Sequence, residues 1–249
     1  MGLGAPCAKS MLDRRAQYSH ALAFPAAENS STENFPDIAT SSDMTRSHLT
    51  TRRTLFFAGL ALCAGLALPV QRAGAVTGGA ATVQAFYSTL LDTMRNGPQL
   101  GAQGRYAKLT PAIQQNFDIP LMTRIAVGPD WATLNPTQQA QVTQAFERYV
   151  AAVYAERFHK YDGEQLKVTG EQASPAGTVI LSQIVDSTGQ PTNINYLMRN
   201  DKIADVYLNG TISDLATRRD EFASILSGGG GADALVKTLR ERTESLLAG

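Results

Sequence analysis

His159 is the one histidine in residues 76–249, and no cysteine accompanies it, because Cys7 and Cys63 both lie earlier in the chain. A serine or cysteine nucleophile would need that histidine as its base, and a zinc site would need three or four ligands with no HExxH or paired-histidine spacing to supply them. His159 stands beside Lys160 near the end of a long helical pattern, where its simplest role is a favourable interaction with the helix dipole. Asp118, Asp162 and Asp205 are candidate acids, but no second catalytic group is spaced to pair with them, so each fits a cap or a turn. Gly228 to Gly231 stand between two helical patterns instead of following a strand, which does not suit a phosphate-binding loop. These residue types do not support an enzyme, and no cofactor or metal is expected.

The elements that would position a site are more informative. Asn135 to Tyr161 carries the longest helical signal of residues 76–249. Asn135 suits an N-cap and Pro136 the first helical position. Val142, Phe146, Tyr149, Val150, Val153, Tyr154 and Phe158 then follow at the i, i+3, i+4, i+7 spacing of one face. Glu147, Arg148, Glu156 and Arg157 fall off that stripe, so one side is expected to face water and the other something large and apolar.

The chain before this region reads as leader. Residues 1–43 have no sustained apolar period and read as a non-native or disordered N-terminal extension. Residues 44–75 have the three parts of a cleaved secretory signal: Arg46, Arg52 and Arg53, an apolar run from Leu55 to Leu68, and small residues Ala73, Gly74 and Ala75. A bilayer span needs about 20 apolar residues, and this run stops at Pro69, with Gln71 and Arg72 behind it. Thr51 to Phe56 also resembles a twin-arginine motif, leaving either export route open. Lysines and arginines number 22 against 22 aspartates and glutamates over the whole chain. With no basic cluster, nucleic acid is not an expected partner.

Residues 76–249 begin with a helix, Ala80 to Met94, ended by Asn96-Gly97-Pro98. A second is expected over Arg105 to Phe117 and a third over Ile119 to Val127, with Trp131 in the following turn as a core plug. Beyond Tyr161 the period changes from about 3.6 to 2. Gln165 to Glu171, Thr178 to Asp186, Thr192 to Arg199 and Lys202 to Asn209 read as four strands with short links, hence an antiparallel meander. Val179, Leu181, Ile180 and Ile184 make the second strand apolar on both faces, so it is expected to be covered on both. Thr211 with Asp214 reads as the cap of a helix through Leu215, Phe222, Ile225 and Leu226, and Ala232 to Leu247 as a closing helix. The expected fold class is α+β: a four-stranded antiparallel meander covered by helices.

Apolar and aromatic surface exceeds what the charged faces balance. A cone of such elements can close on an apolar cavity of several hundred Å³, on the order of a ligand site. Periodicity alone leaves cavity and ordinary core equally open.

A resemblance bears on that choice. Phe117 to Arg124, Trp131 with Gln138 and Phe146, Val179 to Tyr196, and Asp205-Val206-Tyr207-Leu208-Asn209-Gly210 leading to Arg218-Arg219-Asp220-Glu221-Phe222 resemble the MlaC/toluene-tolerance family of periplasmic phospholipid-binding carriers. The Asn209 to Arg219 stretch is most similar to the hopanoid-associated HpnM branch. Asp201-Lys202 replaces a common Gly-Trp, and Gly210-Thr211-Ile212-Ser213 a common Gly-Val-Ser.

The resemblance implies an NTF2-like cone enclosing an apolar cavity, with residues 76–249 as a lipid-carrier domain. It implies transfer of a phospholipid or hopanoid-type lipid between inner and outer membranes, maintaining outer-membrane asymmetry. The partners would be the lipid itself, an inner-membrane lipid transporter and an outer-membrane lipoprotein complex, met in transient contacts. Exposing each CH₂ costs about 0.8 kcal/mol, so an acyl chain would cost about 10 kcal/mol unshielded. The expected lining is Phe117, Met122, Phe146, Tyr149, Val153, Ile194, Tyr196, Val206 and Leu208. Arg218 or Arg219 could meet a phosphate, although pairing with Asp214 or Glu221 on the same helix is the simpler role. The rival readings are an NTF2-like enzyme, which a buried Asp205 with a polar partner would favour, and an envelope protein-interaction module, which predicts an exposed apolar patch.

Overall fold

The computed structural model describes residues 78–248. The extension and signal segment read from the sequence lie outside these residues. No helix among those described is long and apolar enough to cross a membrane.

Helix α1, Gly78–Arg95, buries Val83, Phe86, Tyr87, Leu90 and Met94, the stripe its sequence spaces for one face. Helix α2 is longer than the expected Arg105 to Phe117 and runs Gly97–Asn116. Asn96 turns the chain, Pro98 fits the first turn where its missing N–H costs nothing, and the irregularity is confined to a kink at Gly101, φ 63°. The start of α2 lies hard against the end of the long helix. Arg105 ties the two, donating from Nε to the Ala155 carbonyl at 2.6 Å and from a terminal nitrogen to the Gly97 carbonyl at 3.1 Å. A side chain on Gly97 would run into the carbonyl of His159. Gly97→Ala is therefore expected to cost about 2 kcal/mol or more in urea unfolding, since backbone has to give; a change below about 0.5 kcal/mol would contradict the packing.

Asp118 caps α3, Ile119–Val127, accepting from the Leu121 N–H. A 3₁₀ turn, Gly128–Thr133, follows, with Trp131 half-buried against the core. The long helix α4, Pro136–Arg157, opens with a reciprocal capping box between Asn135 and Gln138. It ends at Arg157, four residues before Tyr161, because Phe158 leaves helical geometry while its N–H still bonds the Tyr154 carbonyl.

The four expected strands are present: β1 Gln165–Ser174, β2 Gly177–Val185, β3 Pro191–Arg199 and β4 Lys202–Leu208. A fifth, β5 Ile212–Ser213, joins them, so the sheet is a five-stranded antiparallel one in sequence order. The four-strand reading missed β5 because two residues are too short to show a period; Gly210, φ 83°, turns the chain tightly enough for Ile212 to pair with Leu208. Ile180, Tyr196 and Val206 stand opposite one another across three strands and form the core face. The expectation that β2 is covered on both faces fails. Ile180 and Ile184 are buried while Val179 and Leu181 stay half-exposed, so the helices cover one side of this strand.

Helix α5, Asp214–Ile225, is capped by Ser213, which accepts from the Ala216 N–H, in place of the expected Thr211 and Asp214 arrangement. Pairing of β5 with β4 fixes Ser213 at the strand end and makes Asp214 the first helical residue. A π turn, Leu226–Gly230, leads to α6, Gly231–Ala248, which packs along α4.

Candidate functional site

An apolar cavity lies between α3, α4, β4 and the start of α5. It is lined by Phe117, Met122, Val150, Val153, Tyr154, Arg157, Val206 and Asp214. The last two turns of α4 supply half of this wall, since positions 150, 153, 154 and 157 follow i, i+3, i+4 and i+7. Phe117 is placed by a parallel bridge to Ile203, next to which the Asp118 N–H donates to the Ile203 carbonyl at 2.9 Å. The α2–α3 junction is thereby pinned to β4, on the strand that carries Val206. The free volume is about 10 Å³, room for one water at most.

The nine residues expected to line a cavity are all buried. Phe117, Met122, Val153 and Val206 meet in it. Phe146 and Tyr149 lie one to two turns back along α4, where they flank the Arg218 guanidinium at 5.8 and 5.3 Å from their ring centroids. Phe146 also meets Phe222 of α5 edge-on at 6.0 Å. Tyr196 contacts Tyr87 of α1 edge-on at 5.8 Å. Tyr87 shares a 2.6 Å hydrogen bond with Ser182, and burial pushes its hydroxyl up to about 12. Ile194 and Leu208 pair across β3 and β4 and do not line the cavity.

Sequence reasoning missed Val150 and Tyr154 as lining residues although both stand on the apolar stripe. It also set Arg157 off the stripe, facing water. In the structure Arg157 lines the cavity, because helical spacing carries the row 150, 153, 154 on to 157 and the aliphatic stem of an arginine can extend an apolar wall. Burial lowers the pKa of Arg157 from its ordinary value.

Asp214, read from the sequence as a capping partner, is 5% exposed and pairs with Arg218 Nε at 3.0 Å. Burial pushes its carboxyl up to about 6, against the pull of Arg218. Arg218 is 1% exposed, so of its two expected roles it takes the pairing with Asp214. Arg219 donates to the Ile125 carbonyl at 3.2 Å, and Glu221 pairs with Arg242 of α6.

Asp205 is buried with a polar partner, the arrangement that would favour an enzyme. Its oxygens, however, accept from Ser213 Oγ at 2.6 Å and from the Val206 and Leu215 N–H groups at 2.7 and 3.3 Å. That set ties β4 to the start of α5. Burial raises its pKa, and it does not line the cavity. The lining offers Asp214 as its acid and no serine, histidine or cysteine beside it. His159 is exposed, with Nδ1 2.9 Å from the Glu156 carbonyl. No group of three or more potential metal ligands occurs among the described residues.

A five-stranded antiparallel meander faced by helices is the α+β class this chain adopts. Residues 84–241 match the family described as MlaC protein, and the chain belongs to that family. Among solved structures it is similar to a phospholipid-binding protein from Ralstonia solanacearum determined in complex with a phospholipid. The two share 25% identity and a TM-score of 0.57, over 68% of this chain and 98% of that one. No curated protein matches the chain.

Proposed function

We propose that this chain is a soluble periplasmic carrier that binds a lipid by its acyl chains and transfers it between the inner and outer membranes. The observation that carries this reading is the family match across residues 84–241, on a fold similar to that of a protein solved with a phospholipid. The apolar lining contributed by Phe117, Met122, Val150, Val153 and Val206 is the chemistry an acyl chain requires. Phospholipid is the preferred cargo. A hopanoid-type lipid, as in the HpnM branch, is the alternative that Asn209 to Arg219 suggests.

With about 10 Å³ free, the cavity must widen into the proposed NTF2-like cone before a lipid enters. Gly210 before α5 and Gly228 to Gly231 after it would let that helix shift outward about its first turn, which the Ser213 and Leu215 hydrogen bonds to Asp205 hold to the sheet. Phe146, Tyr149, Ile194, Tyr196 and Leu208 then form the deeper lining that the widened cavity reaches. An inner-membrane transporter and an outer-membrane lipoprotein complex would be the donor and acceptor.

Two observations favour this over its rivals. The cavity lining holds no serine, histidine or cysteine beside Asp214. Only Tyr161 and Ile212 are exposed large hydrophobics among the described residues, fewer than a partner-docking patch needs. Mass spectrometry of lipid extracted from the protein purified from its native host tests the proposal. A bound phospholipid or hopanoid in near-stoichiometric amount is expected; recovery of none would overturn it.

A further inference from the structure

Asp214 is the acid in the cavity wall, where it stands among Phe117, Met122, Val153 and Val206. It is buried, and the space beside it admits one water at most. Arg218, Asp205 and Arg157 are the charged groups that act on it. Arg218, one turn on along α5, donates from Nε to Asp214 Oδ2 at 3.0 Å. Arg157 of α4 shares the cavity wall and attracts it, while Asp205 of β4, itself bonded to Ser213 and the Leu215 N–H, repels it. Tyr154 of α4 adds a buried phenol to the wall, and α3 brings the uncharged Met122. Toward α6, Glu221 and Arg242 neutralise each other.

A carboxylate is stabilised by water or by fixed dipoles, and hydrocarbon supplies neither. An acyl chain laid along this wall displaces whatever water reaches Asp214 and offers no hydrogen bond in return. The ionised form is penalised by that exchange and the neutral acid is not. We propose that lipid loading is coupled to uptake of a proton by Asp214, so that the carrier holds its lipid more tightly as the pH falls. This rests on the carrier reading above and adds to it a control on loading and release. The proton comes from solvent and settles on Oδ1, which leaves the bond from Arg218 to Oδ2 in place. The Arg218 charge keeps its other surroundings, since the rings of Phe146 and Tyr149 lie 5.8 and 5.3 Å from its guanidinium. The direction follows from linkage. Burial already raises the carboxyl to about 6 in the lipid-free protein, and hydrocarbon beside it raises it further. Between those two values the loaded protein binds more protons than the empty one, so affinity grows as pH falls through that window and levels off on either side.

The test measures binding of a fluorescent phosphatidylglycerol, whose head group keeps its charge across this range, from phosphatidylcholine vesicles at pH 7.5 and pH 5.5. The wild type is expected to bind about fivefold more tightly at the lower pH. Asp214→Asn, which cannot titrate, should show less than about a twofold difference, whereas His159→Gln, which removes the one histidine of residues 76–249, should keep the wild-type difference. Calorimetry of wild-type loading at pH 6.5, in two buffers of different ionisation enthalpy, counts the protons directly and decides the matter even if Asp214→Asn does not fold. Uptake of about half a proton per lipid is expected there. An affinity indifferent to pH or weakened by acid, no proton uptake, a difference that survives in folded Asp214→Asn, or one that disappears in His159→Gln would overturn the inference and leave the carrier reading standing. A wild type that binds no phosphatidylglycerol at either pH would overturn both.

Discussion

Replacing Arg218 by methionine is expected to destabilise the protein by about 3–5 kcal/mol at pH 7, because it leaves the buried Asp214 carboxylate without its counter-charge. The pair is 3.0 Å apart with side chains 1% and 6% exposed, so water cannot substitute. Asp214→Leu combined with Arg218→Met should recover to within about 1 kcal/mol of the wild type, since removing both charges also removes their desolvation cost. Acidification sharpens the test. Burial already raises the Asp214 carboxyl to about 6 in the folded protein, above the 3.8 of an unperturbed aspartate. Between those values the folded state binds more protons than the unfolded one, so this group's contribution grows as pH falls and is lost as pH rises through the folded pKa. Without Arg218 that pKa moves further up, and the deficit of Arg218→Met should shrink from pH 7 to pH 5. Urea unfolding followed by the fluorescence of Trp131, the one tryptophan in the chain, measures both. A single variant within about 1 kcal/mol of wild type at pH 7, or a deficit indifferent to pH, would refute the account.

Phe117→Ala should cost the lipid-free protein about 3–5 kcal/mol, the usual penalty for emptying a buried aromatic site. Phe117 is 2% exposed and meets Phe86 and Tyr154 edge-on at 5.0 and 5.8 Å. It also borders the cavity, so truncation merges its own volume with the space beside Met122 and Val153. If acyl chains occupy that space, lipid should fill part of the void, and the stability gap between variant and wild type should narrow in the lipid-loaded proteins. Thermal melts of delipidated and reloaded protein check this. A gap unchanged by lipid would place the acyl chains elsewhere.

Most of the architecture was legible because each element advertises its own period. The stripe Val83, Phe86, Tyr87, Leu90, Met94 could bury only as a helix, and Asn135-Pro136 could open α4 in only one direction. Two of the misjudged boundaries, at the start of α2 and the end of α4, have local causes. A glycine and a proline after Asn96 read as a stop, yet Pro98 is tolerated in a first turn. Tyr161 looked continuous with the stripe, yet Phe158 already leaves helical geometry. The two-residue strand β5 carries no periodic signal at all.

The site was legible only in part. Phe117, Met122, Val153 and Val206 were anticipated; Arg157 and Asp214 were given surface or capping roles. Local pattern assigns a residue to a face of its own element, and that determined the α+β class, the apolar helix face and the family likeness. Which stretch of that face meets a void, and which meets another side chain, depends on residues distant in sequence. The bridge from Phe117 to Ile203, the hydrogen bonds from Ser213 and Leu215 to Asp205, and the burial of Arg218 between Phe146 and Tyr149 set the walls. Only the tertiary structure could bring Arg157 to the cavity wall, because burial is a property of the packed whole and periodicity is a property of the segment.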